Sequence, residues 1–153
     1  MIIKQSMAID FVRIDPRAIL PTRAHGSVGW DIYTLEDVRC YGLHRLRTGI
    51  VAIQHHCWSM VALRSSAPKR WGIYMPHGIG IIDPGYSGPT DEIQIQVAAD
   101  IPADMGSRRS MEIPAGTRLA QLVPMPLVPC SARELDQHPG GASRGGFGST
   151  GGV

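Results

Sequence analysis

The sequence predicts an all-β fold, a β-barrel or jelly-roll sandwich, and three observations lead there. Charged residues make up 18% of the chain and aromatics 6%, so the surface must rely on neutral polar groups, glycine and proline, as turn-rich β proteins do. Short apolar segments alternate with period two, the pattern of half-buried strands. Turn signals separate them, at Asp15-Pro16, Pro21, Gly26, Gly29, Pro76-His77-Gly78, Asp83-Pro84-Gly85 and Pro102. A chain of 153 residues is long enough for one real core and short for two.

Taken in order, the strand candidates are Ile9 and Phe11 around Asp10, then Ile50 to Ile53, then Trp58 to Leu63, and last Ile93, Ile95 and Val97 interleaved with Gln94 and Gln96. One short helix is expected after "VALRSSAPKRWGI", with Ser65 or Ser66 as its cap and Pro68 in its first turn. There Arg64, Ser65 and Ser66 gather a guanidinium, two hydroxyls and backbone N–H groups, a set suited to phosphate, although an ordinary helix cap reads the same way.

A formal charge of +2 gives no overall field for nucleic acid or a membrane surface, so no partner of either kind is expected. No stretch approaches transmembrane length and the N-terminus lacks an apolar leader, which reads as a cytoplasmic protein. Cys40, Cys57 and Cys130 are odd in number and lack a C-x-x-C spacing, so buried free thiols are expected rather than disulfides or structural zinc. The adjacent His55 and His56 would point to opposite faces of a strand and could not share a metal.

In "HGIGIIDPGYSGPTDEIQIQV" the carboxylate of Asp83 follows an apolar run and enters turns at Gly85 and Gly88. It can be held at a pocket edge as a base, or it can be an exposed Asp-Pro-Gly turn. Tyr86 offers a flat ring that could pack on a sugar. "AHGSVGWDIY" brings a turn and then Asp31 to the start of a strand, and "GTRLAQLVPM" places Arg118 and Gln121 among apolar residues. The chain closes on "RGGFGSTGGV", a glycine-rich tail that is costly to order.

The order of five segments, "GSVGWDIY", "ALRSSA", "GIGIIDPGYSG", "GTRLAQLV" and "RGGFGSTGG", resembles the trimeric dUTP pyrophosphatase (dUTPase) family over residues 24 to 152. The resemblance implies a jelly-roll-like distorted β-barrel over residues 1–137, a homotrimer with shared active sites, and a flexible C-terminal arm, residues 138–153, that closes as a lid. It implies hydrolysis of dUTP to dUMP and pyrophosphate with Mg²⁺. Asp83 matches the aspartate that orients and deprotonates the attacking water. Tyr86 matches the ring on the deoxyribose, and the backbone at Ile81 and Ile82 would read the uracil edge. Arg64, Ser65, Ser66 and Gln121 match phosphate-contacting positions. Phe147 would stack over the base, while Gly148, Ser149 and Thr150 would wrap the terminal phosphates. The metal would have no direct protein ligand, with Asp31 acting on it through water.

Three positions depart from the family pattern. His77 stands where an asparagine usually contacts the base. Arg144, the arm's arginine, lies closer to Phe147 than in many members. The segment "PTDEIQIQV" carries Asp91 and Glu92, to which the resemblance gives no role. The alternatives are a dCTP deaminase, mono- or bifunctional, and a non-catalytic nucleotide-responsive module. The deaminase family shares the fold, "RSS" and "IDPG" before an aromatic, but Lys69 and Ile93 occupy the positions of its arginine and catalytic glutamate, with Glu92 one place off.

Overall fold

A computed structural model describes residues 6–99 and 111–141. The described residues form eleven strands and one short helix, in the order β1 (Ala8–Arg13), β2 (Trp30–Tyr33), β3 (Val38–Cys40), β4 (Gly42–Arg47), β5 (Ile50–His55), β6 (Cys57–Leu63), α1 (Ser66–Trp71), β7 (Ile73–Tyr74), β8 (Gly80–Ile82), β9 (Gln94–Ala99), β10 (Met111–Ile113) and β11 (Arg118–Pro126). They pair into small sheets: β1 with β5, β10 with β3, the four-stranded order β2-β11-β6-β8, and the three-stranded order β4-β9-β7. All the pairings are antiparallel. Most ladders join strands far apart in sequence, which is what a folded-over β sandwich requires.

The alternating segments read from the sequence are strands for the expected reason. Ile93, Ile95 and Val97 are fully buried while Gln94 is exposed, and β6 alternates in the same way, with Cys57, Ser59 and Val61 inward. Every sheet sends side chains to one core, among them Ile32, Leu46, Ile50, Val61, Ile113 and Leu122.

Helix α1 lies where the sequence placed it, and Ala67 and Trp71 anchor it to the core. The expected cap is different. Ser65 occupies the N-cap position, but its backbone is already helical (φ −56°, ψ −25°) and its hydroxyl makes no capping bond. A cap needs extended geometry to turn the side chain back over the first N–H groups. The cysteines are also only partly as expected. Cys40 and Cys57 are buried, and burial pushes both thiols up. Cys130 is exposed because it follows β11 in a stretch, residues 127–141, with neither strand nor helix.

The chain changes sheets between β5 and β6. His56 makes that corner with a left-handed backbone (φ 56°), and so is not on a strand with His55. His55 instead meets Asp10 across the β1–β5 ladder, Nε2 to Oδ2 at 2.9 Å.

Candidate active site

Asp31 is the centre of a polar cluster on the four-stranded sheet. Its Oδ1 accepts from Gln121 Nε2 at 3.3 Å and lies 3.4 Å from Arg64 Nε, while its Oδ2 lies 3.5 Å from Arg118 Nη1. Register explains the gathering. Gln121 on β11 stands directly opposite Asp31 on β2 and opposite Ala62 on β6. Arg64 follows Ala62 by two positions and so shares its face, and its N–H is tied to the Leu119 carbonyl at 2.9 Å.

Arg118 needs a further device, because residues three apart on a regular strand point to opposite faces. The β11–β2 register shifts between Arg118 and Ala120, and this bulge turns Arg118 to the side of Gln121. Arg118 was visible in the sequence as an arginine before an apolar run. The bulge that recruits it was not. Gly29 sets the approach of β2, since a Cβ there would meet the Leu122 carbonyl oxygen at 2.8 Å and Val123 Cγ2 at 2.9 Å.

Ser65 and Ser66 sit exposed beside this cluster at the start of α1. With the helix cap unmade, the Ser65 hydroxyl is not committed to the backbone of α1.

A second group of residues lies at the other edge of the same sheet. Strand β8 pairs with β6 through Ser59–Ile82, Met60–Ile81 and Val61–Gly80, and Ile81 is 60% exposed. His77 is exposed in the turn that leads into it, where its carbonyl accepts from Ile79 N–H at 3.0 Å. After Ile82 the chain makes the turn Asp83-Pro84-Gly85-Tyr86, closed by Tyr86 N–H donating to the Asp83 carbonyl at 3.0 Å. Gly85 keeps a negative φ there and a Cβ would meet nothing, so this turn does not need glycine; at Gly88 a Cβ would come within 2.9 Å of Asp91 Oδ2. The Asp83 carboxylate is exposed and takes part in no side-chain hydrogen bond or ion pair among the described residues.

The turn is held from beneath. Gln54 Nε2 donates to the carbonyls of Ile82 at 2.9 Å and Asp83 at 3.2 Å. The Tyr86 hydroxyl donates to the Glu92 carbonyl at 3.0 Å. Asp91 and Glu92, which had no role from sequence, both serve the loop. Asp91 Oδ2 accepts from Gly88 N–H at 2.7 Å. The buried Glu92 carboxylate accepts from the N–H groups of Thr48 and Gly49, at 3.0 and 2.7 Å, and from Arg47 Nε at 3.1 Å.

The Asp83–Tyr86 turn and the Asp31 cluster are not joined by any hydrogen bond or ion pair among the described residues. Two clefts of the single chain, about 470 Å³ beside Arg39 and Glu112 and about 440 Å³ beside Arg23 and Trp30, are lined by neither group. Arg144, Phe147, Gly148, Ser149 and Thr150 lie outside the described residues. No helix among the described residues is long and apolar enough to cross a membrane.

Comparison with known proteins gives one answer. The dUTPase family model matches residues 15–151. A deoxyuridine 5′-triphosphate nucleotidohydrolase of Mycobacterium avium (strain 104) is 37% identical over 122 residues, covering 77% of this chain and 74% of its own. One from Solibacter usitatus is 32% identical over 151 residues, covering 95% and 97%. Among solved structures, the dUTPase of Staphylococcus bacteriophage 80alpha with dUPNHPP superimposes with a TM-score of 0.77 at 22% identity, over 94% of this chain and 98% of that one. A mutant dUTPase from phage phi11 of S. aureus, which reveals the coordination of a structural Mg(II) ion, gives 0.72 at 19% identity, over 85% and 97%. The last two share the fold, and the sequence matches carry the family. With the family model matched over residues 15–151 and relatives above 30% identity covered over most of their length, this chain belongs to the dUTPase family.

Proposed function

We propose that the chain hydrolyses dUTP to dUMP and pyrophosphate, with Asp83 as the base. The observation that carries the role of Asp83 is its turn: an accessible carboxylate stands on a backbone fixed by the buried Gln54 amide and by the turn's own hydrogen bond, which is the rigid placement a base requires. A water oxygen attacks the α-phosphorus and Asp83 takes its proton. The bond from that phosphorus to the oxygen bridging to the β-phosphate breaks, and pyrophosphate leaves. The main chain of Ile81 and Ile82 on the edge strand reads the uracil, with His77 at the mouth of the hairpin. Tyr86, tethered by its hydroxyl, packs on the deoxyribose and excludes a 2′-hydroxyl.

Arg64, Ser65, Ser66 and Gln121 receive the phosphates, with Arg118 beside them. Among the described residues no group of three or more His, Cys, Asp or Glu could hold an ion, and Asp31 is flanked by two guanidinium groups. This donor set fits a Mg²⁺ that arrives on the triphosphate and meets Asp31 only through water. When bound, the ion offsets charge on the phosphoryl oxygens. Arg144, Phe147, Gly148, Ser149 and Thr150, in the arm 138–153 beyond the domain 1–137, close over the base and terminal phosphates.

A homotrimer with shared sites accounts for the two separated groups of residues. A second copy brings an Asp31 cluster to the Asp83 turn, and also covers apolar side chains left exposed on the stretch after β11, Leu127, Val128 and Leu135 among them. Cytoplasmic nucleotide pools are its place of work.

Glu92 favours hydrolysis over deamination. Its carboxylate is buried and engaged by three donors, so it is unavailable as the glutamate that deamination needs. The deciding experiment incubates the protein with dUTP, dCTP, dTTP and UTP in Mg²⁺ and resolves the products. dUMP and pyrophosphate from dUTP alone are expected. Ammonia release with dUTP or dUMP from dCTP would assign a deaminase, and dUTP binding without any product would assign a binding module.

A further inference from the structure

We propose that Gln54 is a positioning residue for Asp83, locked in that task by Ser59; the inference rests on the assignment of Asp83 as the base. Gln54 lies on β5, in the β1–β5 sheet, and Ser59 on β6, in the four-stranded sheet. The His56 corner folds one over the other. The Ser59 hydroxyl donates to Gln54 Oε1, and both residues are buried, Gln54 at 7% exposure and Ser59 at 0%.

The amide can face only one way. Carbonyl oxygens accept and never donate, so the nitrogen must turn to Ile82 and Asp83, and the oxygen then meets the one hydroxyl that can donate to it. Both N–H bonds of the amide are used, and no buried side-chain polar atom among the described residues lacks a partner.

The two carbonyls belong to successive peptide planes. That of Ile82 lies in the plane before the Asp83 Cα, and that of Asp83 in the plane after it. Each plane is rigid, so holding both fixes the φ and ψ of Asp83 and thus the direction in which its Cβ leaves the backbone. Tyr86 N–H, on the same Asp83 oxygen at 3.0 Å, closes the turn from the other side. The carboxylate itself stays open to water. A base must be fixed in place yet reachable, and anchoring its backbone through a buried amide satisfies both demands.

The test uses the full-length protein and three measurements: kcat and KM for dUTP with Mg²⁺, the Kd of a non-hydrolysable dUTP analogue, and circular dichroism for folding. Gln54→Leu is expected to lower kcat by roughly 100-fold, the cost of a base misplaced by about an ångström, while the analogue Kd moves by less than about fivefold. Ser59→Ala leaves the amide in place but free to swing, and is expected to lower kcat by roughly tenfold with the same split. In an Asp83→Asn background Gln54→Leu should cost less than about twofold further, because the two act as one unit.

A folded Gln54→Leu with kcat within about twofold of the parent overturns the inference, as does a loss that adds fully to that of Asp83→Asn. A parallel weakening of analogue binding overturns it too, since a merely structural role would move both. Should Gln54→Leu not fold, Ser59→Ala decides by the same criteria. Asp83→Asn alone separates the two claims. If it retains parental turnover, the base assignment fails; if it abolishes turnover while Gln54→Leu does not, only the positioning role fails.

Discussion

The hydroxyl of Tyr86 donates to the backbone carbonyl of Glu92 at 3.0 Å, so the aromatic ring beside the proposed base is moored to a residue whose own carboxylate is buried. Glu92 holds the Thr48 and Gly49 N–H groups and Arg47, which places the β4–β5 connection, the start of β9 and the tyrosine in one network. Gly49 can join because its backbone is left-handed (φ 68°) and a Cβ there would meet that of Ala18 at 2.8 Å. Glu92→Ala strands two buried N–H groups at about 1–3 kcal/mol each, so stability should fall by about 2–6 kcal/mol in denaturant titration. The partly exposed Arg47 adds little. Folded Glu92→Gln should still turn dUTP into dUMP; loss of turnover without loss of stability would show that the carboxylate takes part in the chemistry.

Asp31 has the opposite character. Its ion pairs are 3.4 and 3.5 Å long, and the arginine side chains are 32% and 55% exposed. Pairs of this kind contribute less than about 1 kcal/mol, so Asp31→Asn should leave the unfolding midpoint nearly unchanged. It should lower kcat/KM by roughly tenfold, through guanidinium groups no longer aimed at the phosphates. Unchanged kcat/KM would remove Asp31 from the site.

Asp83→Asn keeps the size and the turn while removing the proton acceptor. Analogue binding should persist, and turnover should fall by roughly 100-fold to 10,000-fold, the usual weight of a positioned base. The measurement is single-turnover hydrolysis beside a binding titration, and full turnover would end the assignment.

Truncation before Arg144 tests the arm. Turnover should fall at least about 100-fold through loss of water exclusion and phosphate contacts, while the sedimentation coefficient and the unfolding midpoint stay at parental values. Full activity in the shortened protein would refute a lid.

Strands β1, β5, β6 and β9 were legible because each buries one face or both, which leaves a periodic imprint in the residues. Strands β3 and β4 were harder to read, since "VRCYGLHRLR" mixes polar and apolar residues with Leu43 and Tyr41 exposed. The site divides in the same way. Asp31, Arg64 and Gln121 could be located through ordered motifs, but their meeting depends on the β2-β11-β6 register and the bulge after Arg118, which no local pattern encodes. Gln54 and Ser59 escaped notice, and Glu92 stood out without a role, because Gln54 and Glu92 act on segments remote in sequence and Ser59 acts through Gln54. A lone glutamine, serine or glutamate in an apolar run carries no mark of the partner that folding will bring it.

Strand β8 ends its sheet and is only three residues long, too short an edge to recruit another chain. A base recognised by that strand is recognised by amide and carbonyl groups, which every amino acid but proline presents alike. On the proposed reading, the exposed side chain at 81 can therefore change without altering which nucleotide is accepted. If the proposed reading of uracil by Ile81 and Ile82 holds, base choice is a heritable property of the ladder rather than of a side chain, and proline or a slip in register is what would disturb it.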